Sequence, residues 1–273
     1  MISPRPTIGV FDSGFGGLTV LKELVALSPN ADYLYFGDTA RLPYGSKSVE
    51  TVARYAVEAT HFLESRGANL LVIACNTATA LALDRITAAA RVPVVGVVEP
   101  GADQAASASQ NRRVVVIGTE ATVSSHAYLR ALEQRGVHAR EKACPLFVPL
   151  VEEGWVDHPV TEHVAQIYLK EAFADGFHTA DVLVLGCTHY PLIKPLLRRV
   201  APAHVKIVDS AHSTANVVAA QIRALPHHAG SNPPAAPAAL RFFATDSVEK
   251  FRRLGPRFLG HPVEVVEHVD LKE

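Results

Sequence analysis

Cysteine is scarce in this chain of 273 residues: Cys75, Cys144 and Cys187 are the whole supply. An odd, low count argues against a disulfide framework and points to a reducing cytoplasm. No CxxC pair or clustered His/Cys spacing offers a zinc site. The 13 histidines are scattered, apart from His227–His228. Charge of either sign is in no excess. The net charge is −1 with no basic stripe, so there is no electrostatic footprint for nucleic acid. Long apolar runs are also missing. None approaches the roughly 20 residues of a membrane helix. The N-terminal "MISPRPTIGVFDSG" lacks the apolar core of a secretory signal. What the chain does have is apolar content, 48% against 19% charged residues. That supports a sizeable core in one large or two moderate domains.

Short β-rich runs alternate with helical patterns. Strands are expected at 7–11, 32–36, 69–74, 93–98, 113–118, 181–186, 204–208, 240–244 and 263–268. The helical pattern is clearest over 48–66. There Val52, Tyr55, Ala56, Ala59, Phe62 and Leu63 recur at three- and four-residue steps, and Gly67 follows as a stop. Helices over 122–135 and 160–175 end at Gly136 and Gly176 in the same way. Alternating βα units imply an α/β fold with mainly parallel sheets covered on both faces. The unbroken apolar strands "LLVIA" and "VLVLG" fit, since both their faces would be buried. Composition shifts at 99–111, a plausible domain crossing, and a second crossing is expected near 209–213. The Pro/Ala-rich stretch 226–239 reads as an exposed loop. Residues 1–98 with 210–273 are therefore expected to form one doubly wound domain, with 99–209 a similar second one facing it.

Two stretches share one build. "LVIACNTATA" ends an apolar run with Cys75, Asn76 and Thr77; "LVLGCTHYPL" ends one with Cys187, Thr188 and His189. Each is preceded by another polar turn at a strand end, Asp12 and Ser13 in "IGVFDSGFGG" and Thr119 in "VVVIGTEATV". This reads as a degenerate duplication whose period suits two domains rather than a solenoid. Open α/β sheets bind ligands beyond the carboxyl ends of their strands. Two such domains face to face would point both cysteines into one cleft.

A lone free cysteine is usually core filler, and Cys144, before Pro145, has no other context. Filler has no reason to recur at two matched strand ends. A thiolate can act as a base once a neighbour stabilises it. Two thiols on opposite faces of a substrate can remove a proton from one side of a carbon and deliver one to the other, inverting the centre. Asp12 could assist Cys75, although capping the helix at 16–27 is an equal alternative from sequence. His189 could assist Cys187 or be a turn residue. Ser13, Asn76, Thr77 and Thr188 could hold carboxylate oxygens, aided by helix N-termini. Three rival readings remain: a nucleotide module built on "DSGFGG", a cysteine hydrolase using Cys187 and His189, and a pyridoxal enzyme. The first fits neither G-x-G-x-x-G nor a P-loop, the second leaves Cys75 unexplained, and the third lacks a lysine at any strand-end turn.

"FDSGFGGLTV", "YFGDTARLPYGSKS", "VIACNTATA", "CPLFVPLVEEG" and "VLGCTHYPLI", in that order and with "FFATDSVEKFRRLG" near the end, resemble the glutamate racemases of the cofactor-independent aspartate/glutamate racemase family. The resemblance implies interconversion of L- and D-glutamate with no cofactor, in supply of bacterial peptidoglycan synthesis. It implies two α/β domains, a cytoplasmic homodimer, and a small-molecule substrate, with neither nucleic acid nor membrane as partner. It assigns the proton of the D-enantiomer to Cys75 and that of the L-enantiomer to Cys187, with Asp12 helping the first and His189 and Glu152 the second. Glu152 is singled out from Glu153 by this likeness alone. Ser13, Pro43, Tyr44, Gly45, Asn76, Thr77, Thr119 and Thr188 resemble substrate-holding positions. A sister enzyme acting on aspartate would share all of this with a shorter pocket.

Overall fold

The computed structural model describes residues 5–224 and 237–271. The chain runs β1 (Thr7–Asp12), α1 (Leu18–Leu27), β2 (Asp32–Gly37), α2 (Val49–Ser65), β3 (Leu70–Ile73), α3 (Asn76–Ala89), β4 (Val94–Gly96) and α4 (Val98–Ala108). It continues through β5 (Arg113–Gly118), α5 (Glu120–Ser124), α6 (Ala127–Glu133), β6 (His138–Ala143), α7 (Phe147–Glu152), α8 (Pro159–Ala172), β7 (Val182–Gly186) and α9 (Lys194–Val200). Last come β8 (Lys206–Asp209), α10 (Ser210–Ala224), β9 (Leu240–Ala244), α11 (Val248–Leu259) and β10 (Val266–His268). Short 3-10 turns at Thr39–Arg41, Tyr44–Ser46 and Tyr190–Ile193 punctuate the loops.

Two sheets result, with strand orders β10-β9-β2-β1-β3-β4 and β6-β5-β7-β8. The strand pairs are parallel, as in Ile8↔Tyr33, Ile8↔Leu70 and Val115↔Leu183. The last two strands return to the sheet of the first, with Tyr35 opposite Phe242. Parallel strands need crossovers, and the helices that supply them cover both faces. Side chains along each strand therefore alternate between two apolar layers. In β1 and β3, Phe11, Leu71 and Ile73 meet α2 and α3, while Ile8, Val10, Leu70 and Val72 point the other way. In β5 and β7, Val114, Val116, Val182 and Val184 pack toward α4 and α6. Val115, Ile117, Leu183 and Leu185 join the same apolar cluster as Val10 and Val72, so one core runs between the sheets.

Helix α2 shows how local sequence sets an element. Ser48 caps it by accepting the Thr51 N–H, Val52, Ala56, Ala59 and Leu63 face inward, and Gly67 turns the chain out at φ +95°. The sequence pattern missed β6. Its residues "HAREKA" are polar and partly exposed because β6 is the edge of the smaller sheet, paired on one side only. The single helix expected over 122–135 is two, α5 and α6, broken where His126 takes a left-handed φ of +54°. Residues 99–108 of the expected crossing 99–111 are helical, as part of α4. Most of the stretch 226–239, with His227 and His228, lies outside the described residues. No helix among them is long and apolar enough to cross a membrane.

Candidate active site

The strand ends β1, β3, β5 and β7 converge on one cleft. Cys75 follows β3 and is the N-cap of α3, its sulfur accepting the Ala78 N–H at 3.4 Å. Cys187 follows β7. Both sulfur residues are buried, at 4% and 7% exposure, yet both line one cavity of about 40 Å³. Ser13, Asn76 and Thr77 from the larger sheet share its wall with Thr119, Thr188 and His189 from the smaller. The loop after β2 closes one side with Pro43, Tyr44 and Gly45. The Leu42–Pro43 peptide there is cis. Tyr44 is anchored by donating its hydroxyl to Asp38 at 2.5 Å, while Arg41 pairs with Glu58 at 2.7 Å.

Hydroxyls tie the two halves together across the cleft. Thr77 on α3 lies 2.9 Å from Thr119, whose oxygen caps α5 by accepting the Thr122 N–H. Asn76 has a buried Nδ2 with no partner. A buried amide donor left unpaired is costly, and on a cavity wall it is a ready contact for a carboxylate.

The two sulfurs differ in their surroundings. The Cys75 sulfur lies 3.6 Å from the Ser13 hydroxyl. Burial, with the Asp12 charge adding to it, pushes the Cys75 thiol up to about 12. Cys187 has His189 as its close neighbour on the cavity wall. His189 in turn meets Glu152 at 3.3 Å, and the other Glu152 oxygen accepts Lys250 at 2.7 Å. Burial alone would lower His189, but Cys187 and Glu152 overcome it and hold the imidazole up to about 10. Burial would raise Glu152, yet His189 and Lys250 hold it down to about 2. Near neutrality this places a thiol at Cys75 and an ion-paired imidazolium beside Cys187.

Asp12 and Glu152 do not line the cavity; each stands behind a residue that does. Asp12 is 1% exposed, accepts the Gly14 N–H at 3.0 Å, and lies 3.5 Å from the Thr188 hydroxyl. Burial raises its carboxyl despite the nearby His189. The N-cap of α1 is Gly17, with no side-chain cap bond. The glycines of "DSGFGG" serve close approach. A Cβ on Gly16 would sit 2.2 Å from the Thr188 hydroxyl, and one on Gly17 2.5 Å from the Asp12 Cβ.

Sequence reasoning overlooked three residues. Leu42 and Val148 supply apolar wall, and nothing in their local pattern marks them. Lys250 lies on α11, far along the chain from Glu152, and only the fold joins them. Cys144 is buried with its S–H toward the Lys142 carbonyl, apart from the cavity. Among the described residues no group of three or more His, Cys, Asp and Glu could hold a metal.

The model of the Asp/Glu/Hydantoin racemase family matches residues 8–218. A curated glutamate racemase of Koribacter versatilis is 63% identical, with 99% of each chain covered. Two solved structures superpose over 98% of both chains. One is glutamate racemase of Francisella tularensis in complex with D-glutamate (TM-score 0.88, 36% identical). The other is that of Thermus thermophilus in complex with beta-chloro-D-alanine (TM-score 0.85, 47% identical).

Proposed function

The chain belongs to the Asp/Glu/Hydantoin racemase family, and on that premise we propose that it is a glutamate racemase working by two cysteine acid–base groups. The observation that carries this is the opening of Cys75 and Cys187 into one cavity from opposite sheets. With L-glutamate bound, the Cys187 thiolate, its charge balanced by the imidazolium of His189, takes the α-proton. The Cys75 thiol donates its own proton to the far face of the carbanion, giving D-glutamate and a Cys75 thiolate. The reverse reaction exchanges the roles, and the sulfurs reset by proton exchange with solvent. The unpaired Asn76 Nδ2, the Thr77, Thr119 and Thr188 hydroxyls and the α3 N-terminus favour the substrate carboxylates.

Two sheets on either side of the cavity support residues 1–98 with 210–273 as one domain and 99–209 as the other. We assign Asp12 to Cys75, and His189 with Glu152 to Cys187. The same reading makes the protein a cytoplasmic homodimer that supplies D-glutamate for peptidoglycan.

The test is loss of optical rotation from L-glutamate with purified protein and no added cofactor. Rotation that never changes, or changes only after pyridoxal phosphate is added, defeats the proposal. Faster turnover of L-aspartate than of L-glutamate would assign the sister activity instead.

A further inference from the structure

Asn76 lines the substrate cavity and carries an unpartnered amide donor, and a side-chain amide can present either end. Its oxygen and nitrogen exchange places by a half-turn, so its hydrogen-bond partners decide which end points where. Here the Asn76 Oδ1 accepts the hydroxyl of Tyr128 at 2.7 Å, while Nδ2 is unpartnered. Ser210 lies beside the same phenol, its Cβ and the Tyr128 hydroxyl both bordering Gly101. In its bond to Oδ1 the phenol's single proton is directed at Asn76. Only an acceptor can sit there, so Oδ1 is held against Tyr128 and Nδ2 is left for the cavity.

The junction is built into the fold. Tyr128, on α6, is fully buried, and Ser210, the first residue of α10, is 4% exposed. A Cβ on Gly101 of α4 would lie 3.1 Å from the Tyr128 hydroxyl and 3.2 Å from the Ser210 Cβ. The missing side chain makes room for both. The segments α4 and α10 are where the chain passes between the two sheets. The phenol therefore sits beside both passages while bonding a cavity residue on α3.

We propose that Tyr128 is a positioning residue for the substrate. Its hydroxyl, seated in the space left by Gly101, fixes the Asn76 amide with Nδ2 toward the bound amino acid. This rests on the cavity being the glutamate site.

Tyr128→Phe keeps the ring and removes only the hydroxyl. It should raise KM for glutamate about tenfold and leave kcat within about threefold. In an Asn76→Ala background the same change should alter KM less than about twofold, because the group it orients is gone. A KM within about twofold of the parent, or an equal rise in both backgrounds, overturns the proposal. Gly101→Ala decides the matter should Tyr128→Phe fail to fold, since its Cβ would crowd the Tyr128 hydroxyl at 3.1 Å: a KM raised about threefold or more supports the positioning role, and an unchanged KM rejects it. Racemisation by the parent protein tests the glutamate reading; the ratio of variant to parent tests Tyr128 alone.

Discussion

Cys75 and Cys187 are the same residue type in different electrostatic settings, and the pair's function depends on both. Cys75 is pushed up to about 12 by burial and the Asp12 charge, whereas Cys187 has an imidazolium for a neighbour. Cys75→Ser and Cys187→Ser should each lower turnover by on the order of 10²–10⁴-fold, the range of a single positioned acid or base. In deuterium oxide, α-proton exchange should persist for D-glutamate in Cys187→Ser and for L-glutamate in Cys75→Ser, as read by proton NMR. Undiminished turnover in either variant ends the two-base account. The His189–Glu152 pair also makes stability depend on pH. His189 is raised from 6.5 to about 10, so its contribution is complete below 6.5 and lost as pH climbs through 10. Glu152 is lowered from 4.5 to about 2, so its contribution is complete above 4.5 and lost as pH falls through 2. Relative to the parent, His189→Gln should flatten the fall of Tm between pH 6.5 and 10, and Glu152→Gln the fall below 4.5. Parallel curves for parent and variants would show that the pair carries no such coupling.

At the scale of elements, the site depends on loops that nearly touch. The Tyr44–Ser46 turn rests on α5, and a Cβ added to Gly45 would sit 3.0 Å from the Thr119 Cβ. A contact that tight makes one of the two segments move. Gly45→Ala should therefore lower kcat/KM about tenfold, worth about 1.4 kcal/mol, while Tm barely changes. Unaltered kcat/KM would mean the turn is free to shift. The well-patterned elements were legible in sequence: the buried strands β3 and β7, whose unbroken apolar runs reflect burial on both faces, and α2 with its inward stripe. The polar edge strand β6 was not legible, because a strand paired on one side needs no apolar pattern. Nor was the break between α5 and α6, where a left-handed His126 carries no composition signal of the kind glycine gives.

For the whole molecule, the cavity between the halves is about 40 Å³ and both cysteines that line it are buried. We expect the halves to part to admit glutamate and to close over it, excluding water from the carbanion. Adding D-glutamate should lower the radius of gyration in small-angle scattering and raise amide-exchange protection at 43–45 and 75–77. If neither quantity responds to saturating substrate, the opening and closing cycle is wrong. The amino-acid sequence alone determined the α/β class, the two matched cysteine turns and most residues of the cavity wall, because strand-end chemistry follows directly from local pattern. Tertiary structure alone decided that Asp12 and Glu152 stand behind the wall, that Lys250 reaches Glu152, and that Tyr128 orients Asn76. Those contacts join residues distant along the chain, and only the packing of two sheets across one cleft determines which of them meet.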